Sequence, residues 1–217
     1  FEINDETGDV IKITGNEPIN LIPNSDLTLD SNSDGIPDGF AFSANTTDKT
    51  LVNGVVKFTA TAQPAWFECR LVGLDAQTIY LFARFKADGN VRLVVGGASI
   101  PHSGSGQFEV ISLVRTLTGN SHYPTINDFR SSGWTPIEVD YMGAYNITDF
   151  IKAGVKNDSG TLFSRLTNDE IKDQMDLWVQ NGFPDHVIAA LYPDGVDSAI
   201  ALKYNDADDV FRPQQID

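Results

Sequence analysis

Nine consecutive residues, Asp30-Ser31-Asn32-Ser33-Asp34-Gly35-Ile36-Pro37-Asp38, carry the clearest coordination chemistry in the chain. Oxygen-bearing side chains fall at relative positions 1, 3, 5 and 9. Glycine stands at position 6, where a calcium loop turns sharply, and Ile36 at position 7 offers its carbonyl. Ca²⁺ takes about six to eight hard oxygen ligands, and this stretch supplies about five. An EF-hand would close with Glu at position 12, but Ala41 stands there. The expectation is a structural Ca²⁺ held by Asp30, Asn32, Asp34, Ile36 and Asp38. An Asx-rich turn without metal is the alternative.

A second set of residues has the chemistry of recognition. Strict alternation in AWFECRL and TIYLFARF places Ala65, Phe67, Cys69, Leu71, Ile79, Leu81, Ala83 and Phe85 on core-facing sides. Trp66, Glu68, Arg70, Tyr80, Phe82 and Arg84 then point the other way, as does Arg92 in VRLVV. Aromatic faces stack on sugar rings, and guanidinium groups read anionic oxygens bidentately. Trp66, Arg70, Tyr80, Arg84 and Arg92 are therefore the candidate ligand platform, provided their strands are neighbours. Cover by a helix or a partner chain would remove it. Tyr123 and Trp134, in loops, are further candidates.

No residues assemble a catalytic signature, and the chain is read as non-enzymatic. Gly97-Ala98-Ser99 is not a nucleophile elbow. His102, His122 and His186 lack metal-ligand spacing, and there is no P-loop or dinucleotide fingerprint. A glycosidase needs two carboxylates roughly 5–10 Å apart across a cleft. Glu68 and Glu138 face outward, but nothing distinguishes them from ordinary surface acids.

Thirty acidic residues against fifteen basic ones give a net charge of −15. Such a field opposes phosphate backbones and anionic membranes, so nucleic acid is excluded as a partner. No run of about eighteen apolar residues suggests membrane insertion. The single cysteine, Cys69, excludes an internal disulfide. The chain starts at Phe1 and reads as a fragment of a longer protein.

The elements that must position these residues are strands. Apolar content of 41% is enough for a core. Short apolar segments recur at 55–62, 65–73, 78–87, 91–97, 107–117 and 135–147, broken by Asp88-Gly89-Asn90, Ser103-Gly104-Ser105-Gly106 and Ser131-Ser132-Gly133. This is the pattern of an all-β sandwich or jelly roll. One helix is expected, with Thr167 and Glu170 as a capping box, Ile171, Met175 and Trp178 as its apolar stripe, and Gly182 closing it. Residues 1–19 read as a linker or the end of a preceding domain, with a strand over 10–14. Residues 20–185 form the module. Residues 186–217 are a C-terminal extension in which VIAALY and SAIALKY would pair as a hairpin about Asp194-Gly195, before a frayed end.

Asn20 to Phe40 resembles the opening of family 4/9-type carbohydrate-binding modules. Asn20, Leu21, Asn24, Ser25, Asp26 and Leu27 match a first strand, and Gly39-Phe40 match the end of the loop after it. Ile137-Glu138-Val139-Asp140 is similar to the closing strand of those modules, which implies Asp140 as a further Ca²⁺ ligand. The acidic loop itself resembles thrombospondin type 3 loops. Copies of the module occur in bacteriophage tail and receptor-binding proteins, and Tyr145 to Phe150 followed by an acidic helix looks similar to them. The resemblance implies a homotrimeric receptor-binding protein in the virion or outside the cell, attaching to a surface polysaccharide. It departs after Phe150, where Val155 to Leu166 is longer than usual. The alternatives are an accessory module of a secreted glycoside hydrolase or adhesin, and a structural spacer.

Overall fold

In a computed structural model of the chain, residues 18–22 and 24–193 are described in full. The strand backbones of 2–3, 10–12, 200–205 and 210–215 are described as well.

Two five-stranded antiparallel sheets make a sandwich. Ten strands build it: β1 (Phe40–Phe42), β2 (Thr46–Val52), β3 (Val55–Ala60), β4 (Ala65–Cys69), β5 (Thr78–Asp88), β6 (Val91–Val95), β7 (Ala98–Pro101), β8 (Ser105–Thr116), β9 (Thr125–Asp128) and β10 (Ile137–Asn146). The first sheet has the order β7-β6-β9-β4-β1 and the second β8-β5-β10-β3-β2. The chain therefore changes sheet at every step except from β2 to β3 and from β6 to β7. Each switch lets a strand bury one face on the common core, as a jelly roll requires.

The predicted alternation holds. Phe67 and Cys69 of β4 meet Ile79, Leu81, Ala83 and Phe85 of β5 in the core, with Val91, Leu93, Val95, Phe58 and Val139, and Ala65 is buried as well. Phe58 and Phe67 approach with ring centroids 6.1 Å apart, joining the two sheets.

A second core lies on the outer side of the second sheet. Three helices follow β10: α1 (Ile147–Lys152), α2 (Asn168–Asn181) and α3 (Asp185–Leu191). Helix α2 carries the expected capping box of Thr167 and Glu170, and its stripe Ile171, Met175 and Trp178 is buried. Its ring partners are Phe163, stacked on Trp178 at 5.4 Å, and Phe183 at 6.0 Å. Asp176 ties the helix to the sheet. Its Oδ1 accepts from the Tyr80 and Ser112 hydroxyls, each at 2.6 Å, and its Oδ2 from Lys172 Nζ at 2.7 Å.

Three expectations are corrected. VIAALY is not a strand: Val187–Leu191 lies in α3, where Val187 and Ile188 pack into the second core. The hairpin partner of Ile200–Asn205 is Val210–Gln215 instead, while Asp194 and Gly195 lie outside the described residues. Residues 20–22 and 24–27 do not form a strand. Asn20 acts there as a local clamp, its Oδ1 accepting from Ile22 N and Ala144 N. Of the strand expected over 10–14, Val10–Lys12 is present, paired with Glu2–Ile3, and 13–14 lie outside the described residues.

Candidate functional site

The outward face of the first sheet gathers several of the candidate residues on one surface. Strand β9 is its axis: Asn127 is level with both Trp66 of β4 and Arg92 of β6, and Thr125 is level with Glu68 and Val94. Continuing the register, Arg70 reaches Tyr123 at one end, with its guanidinium 6.0 Å from the ring centroid. At the other end the Arg92 guanidinium lies 5.4 Å from the ring of Phe129. Tyr123 and Phe129 are 45% and 41% exposed, more than an aromatic ring needs for packing alone. Arg70 Nε donates to Ser121 Oγ at 3.0 Å. Arg92 Nε donates to Asn90 Oδ1 at 2.9 Å, and its Nη1 to Ser99 Oγ at 3.3 Å.

Between the two ends Glu68 is half-buried, and burial raises its carboxyl pKa, an effect the Thr125 hydroxyl partly offsets. Glu68, two residues from Trp66 on the same side of β4, holds the buried Thr125 hydroxyl, which also donates to the Tyr123 carbonyl. Cys69, on the reverse side of the same strand, is fully buried, and burial first, then Glu68, pushes its thiol far up.

Two members of the expected platform belong elsewhere. Tyr80 and Arg84 lie on β5, in the opposite sheet, so they cannot join Trp66, Arg70 and Arg92. Tyr80 is fully buried under the helices, and Phe82 is covered with it. Arg84 pairs with Asp140 at 2.8 Å and lies over Phe108 at 5.1 Å. Alternation assigns a side chain to one of two sides of its strand but does not say which sheet that strand joins. Trp134 is half-buried in the loop between β9 and β10, whose ends are tied by the buried Asp128–Arg130 pair and by Arg130 donating to Thr135.

Thr125 and Asn127, and Phe129 just past the end of their strand, escape the sequence reading because that strand is disguised. Its inward positions are Ile126 and Asp128, and the fully buried Asp128 is neutralised by Arg130 at 2.6 Å. The one available signal was the alternation Thr125, Asn127, Phe129 itself.

The acidic loop adopts the turns that its residue pattern requires. Asp30 Oδ1 accepts from Asp34 N and its Oδ2 from Gly35 N. Asn32 Oδ1 accepts from Asp34 N, Asp34 Oδ1 from Ile36 N and Asp38 Oδ1 from Ser31 N. Gly35 supplies the left-handed turn at φ +81°. The buried Asn24 staples the loop shut by donating to the Leu29 and Asp38 carbonyls. Asn32, Asp34, Asp38 and Lys49 line a cavity of about 250 Å³ beside it. The donor set is all hard oxygen and three carboxylates have no salt bridge among the described residues, which suits Ca²⁺. However, no three His, Cys, Asp or Glu side chains converge as a cage among the described residues. Asp140 is not brought into the loop by any described contact. It sits at a bulge in β10 on the outer face of the second sheet, against Arg84. One of its oxygens, Oδ1, is buried without a hydrogen-bond partner, and burial raises its pKa.

No protein-family model matches the chain, and no curated protein matches it. Among solved structures it is similar to a mutant family 29 carbohydrate-binding module complexed with cellulohexaose. The identity is 14%, covering 53% of this chain and 85% of that one, with a TM-score of 0.41. It is also similar to a family 35 module from Paenibacillus barcinonensis (14% identity, 49% and 92% covered, TM-score 0.34). A third is the second N-terminal cellulose-binding domain of a Cellulomonas fimi β-1,4-glucanase (15%, 59% and 95%, TM-score 0.39). Scores this low carry no argument about ligand, which must come from the site.

Proposed function

We propose that the chain is a non-catalytic module that binds a surface glycan on the outer face of the first sheet. The observation that carries this reading is the row formed by Arg92, Asn127 and Trp66, with aromatic–arginine pairs at both ends. Exposed rings offer stacking faces, while Glu68 and Asn127 offer hydrogen bonds that match sugar hydroxyls. Among the described residues this surface is a sheet face rather than a cleft with opposed carboxylates, the arrangement binding needs and hydrolysis does not.

Trp66→Ala is expected to weaken binding to a responsive polysaccharide at least tenfold in calorimetry, with folding retained by circular dichroism. Undiminished binding by the folded variant would refute the site.

Calcium belongs to the proposal as a loop-ordering ion held by Asp30, Asn32, Asp34, Asp38 and the Ile36 carbonyl. Its role is structural, and Asp140 is left out of the set. The phage-tail setting and the trimer implied by resemblance are the remaining elements, and sedimentation of the purified chain tests the second.

A further inference from the structure

The geometry points to an anionic glycan, gripped at two separated points, as the occupant of this face; the inference rests on the glycan-binding reading above. Thirty acids face fifteen bases in this chain. Of the twelve lysines and arginines among the fully described residues, five (Arg84, Lys86, Arg130, Lys152 and Lys172) hold a carboxylate within salt-bridge distance and seven hold none. Arg70 and Arg92 hold none among the described residues. Their hydrogen bonds go to neutral acceptors only: Ser121 Oγ for Arg70, and Asn90 Oδ1 and Ser99 Oγ for Arg92.

Both guanidiniums are also fixed in place. Each lies over an exposed ring, Tyr123 or Phe129, and is anchored through Nε. An arginine has five N–H donors, so among the described residues both terminal nitrogens of Arg70 and one of Arg92 are left without a partner. A planar group held in this way loses little entropy on binding and matches a carboxylate, sulfate or phosphodiester oxygen pair.

Spacing defines the pattern to be read. Arg92 is level with Trp66, four residues from Arg70 along the strand and two strands away. At about 3.3 Å per residue and about 4.8 Å per strand their Cα atoms are about 16 Å apart, a span of several sugar rings. Glu68 lies between them and would repel a third anionic group. The pattern is thus acidic at both ends and neutral over Trp66, where Glu68 meets hydroxyls.

The test compares oligogalacturonate with its carboxyl-reduced, neutral counterpart, alongside a sulfated galactan and a phosphodiester-linked teichoic acid. Calorimetry is run on the whole chain and on Arg70→Gln, Arg92→Gln and Trp66→Ala. Binding of at least one anionic polymer, tenfold or more above its neutral counterpart, with about a tenfold loss in each arginine variant, is the expected result. Which polymer binds distinguishes carboxylate from sulfate or phosphate. Each cation–π contact is to an exposed ring and contributes little to stability, so these variants should stay folded, which melting curves check. Equal binding of neutral and acidic polymers, lost in Trp66→Ala but unchanged in both arginine variants, would overturn this inference and leave the glycan-binding reading standing. No binding to any acidic or neutral polymer would overturn both.

Discussion

Tyr80→Phe separates a buried structural tyrosine from a ligand-contacting one. The Tyr80 hydroxyl donates to Asp176 Oδ1 at 2.6 Å, and burial raises its pKa, reinforced by the neighbouring carboxylate. Removing it leaves Asp176 with Ser112 and Lys172, so no buried charge is orphaned. The loss is then that of a hydrogen bond to a charged group, about 2 kcal/mol. For a chain of this length that lowers the melting temperature by about 4–8 °C. Thermal melts followed by circular dichroism give the stability and calorimetry the glycan affinity, which is expected to be unchanged. An unchanged melting temperature together with a tenfold weaker glycan affinity would show that the hydroxyl works at a ligand, and would refute the assignment of this face to the helices.

The remaining predictions concern other parts of the same frame. Glu68 has a raised pKa in the folded state, so the native protein binds more protons near that pKa, and stability falls as pH rises from the unfolded pKa through the folded one. Glu68→Gln keeps an acceptor for Thr125 and is expected to raise the melting temperature at pH 7. The gain should vanish below about pH 4, where both states carry a protonated glutamate in the parent; a pH series of melts checks it. Cys69, buried and with its thiol pKa pushed up, should react with a thiol reagent only under unfolding conditions. Prompt reaction of the native protein would place it at an accessible surface. If Ca²⁺ orders the acidic loop, a chelator should lower the melting temperature, by about 2.7 kcal/mol of stability when the ion had been at a hundredfold excess over its Kd. Asp34→Ala should abolish that response, and an unchanged curve with no bound metal by elemental analysis would refute the ion.

The sequence by itself determined the local structure. Alternation is a property of the strand, so the inward set from Ala65 to Phe85 was legible without knowing the partners. The α2 helix was equally legible, because its cap and stripe all lie within one short segment. The acidic loop could be read for the same reason: its Asx turns join residues at most seven apart. What only the tertiary structure decided was which sheet each strand entered. The chain crosses between sheets after Cys69, and that single switch sends Tyr80 and Arg84 to the face opposite Trp66, Arg70 and Arg92. Pairing between distant segments also brought Tyr123, Asn127 and Phe129 beside those residues, through a strand whose buried Asp128 hides its pattern until Arg130 is seen to neutralise it. Side-chain period is local and survives in one dimension, whereas the neighbours of a strand are set by long-range hydrogen bonding and burial that no short window of sequence contains.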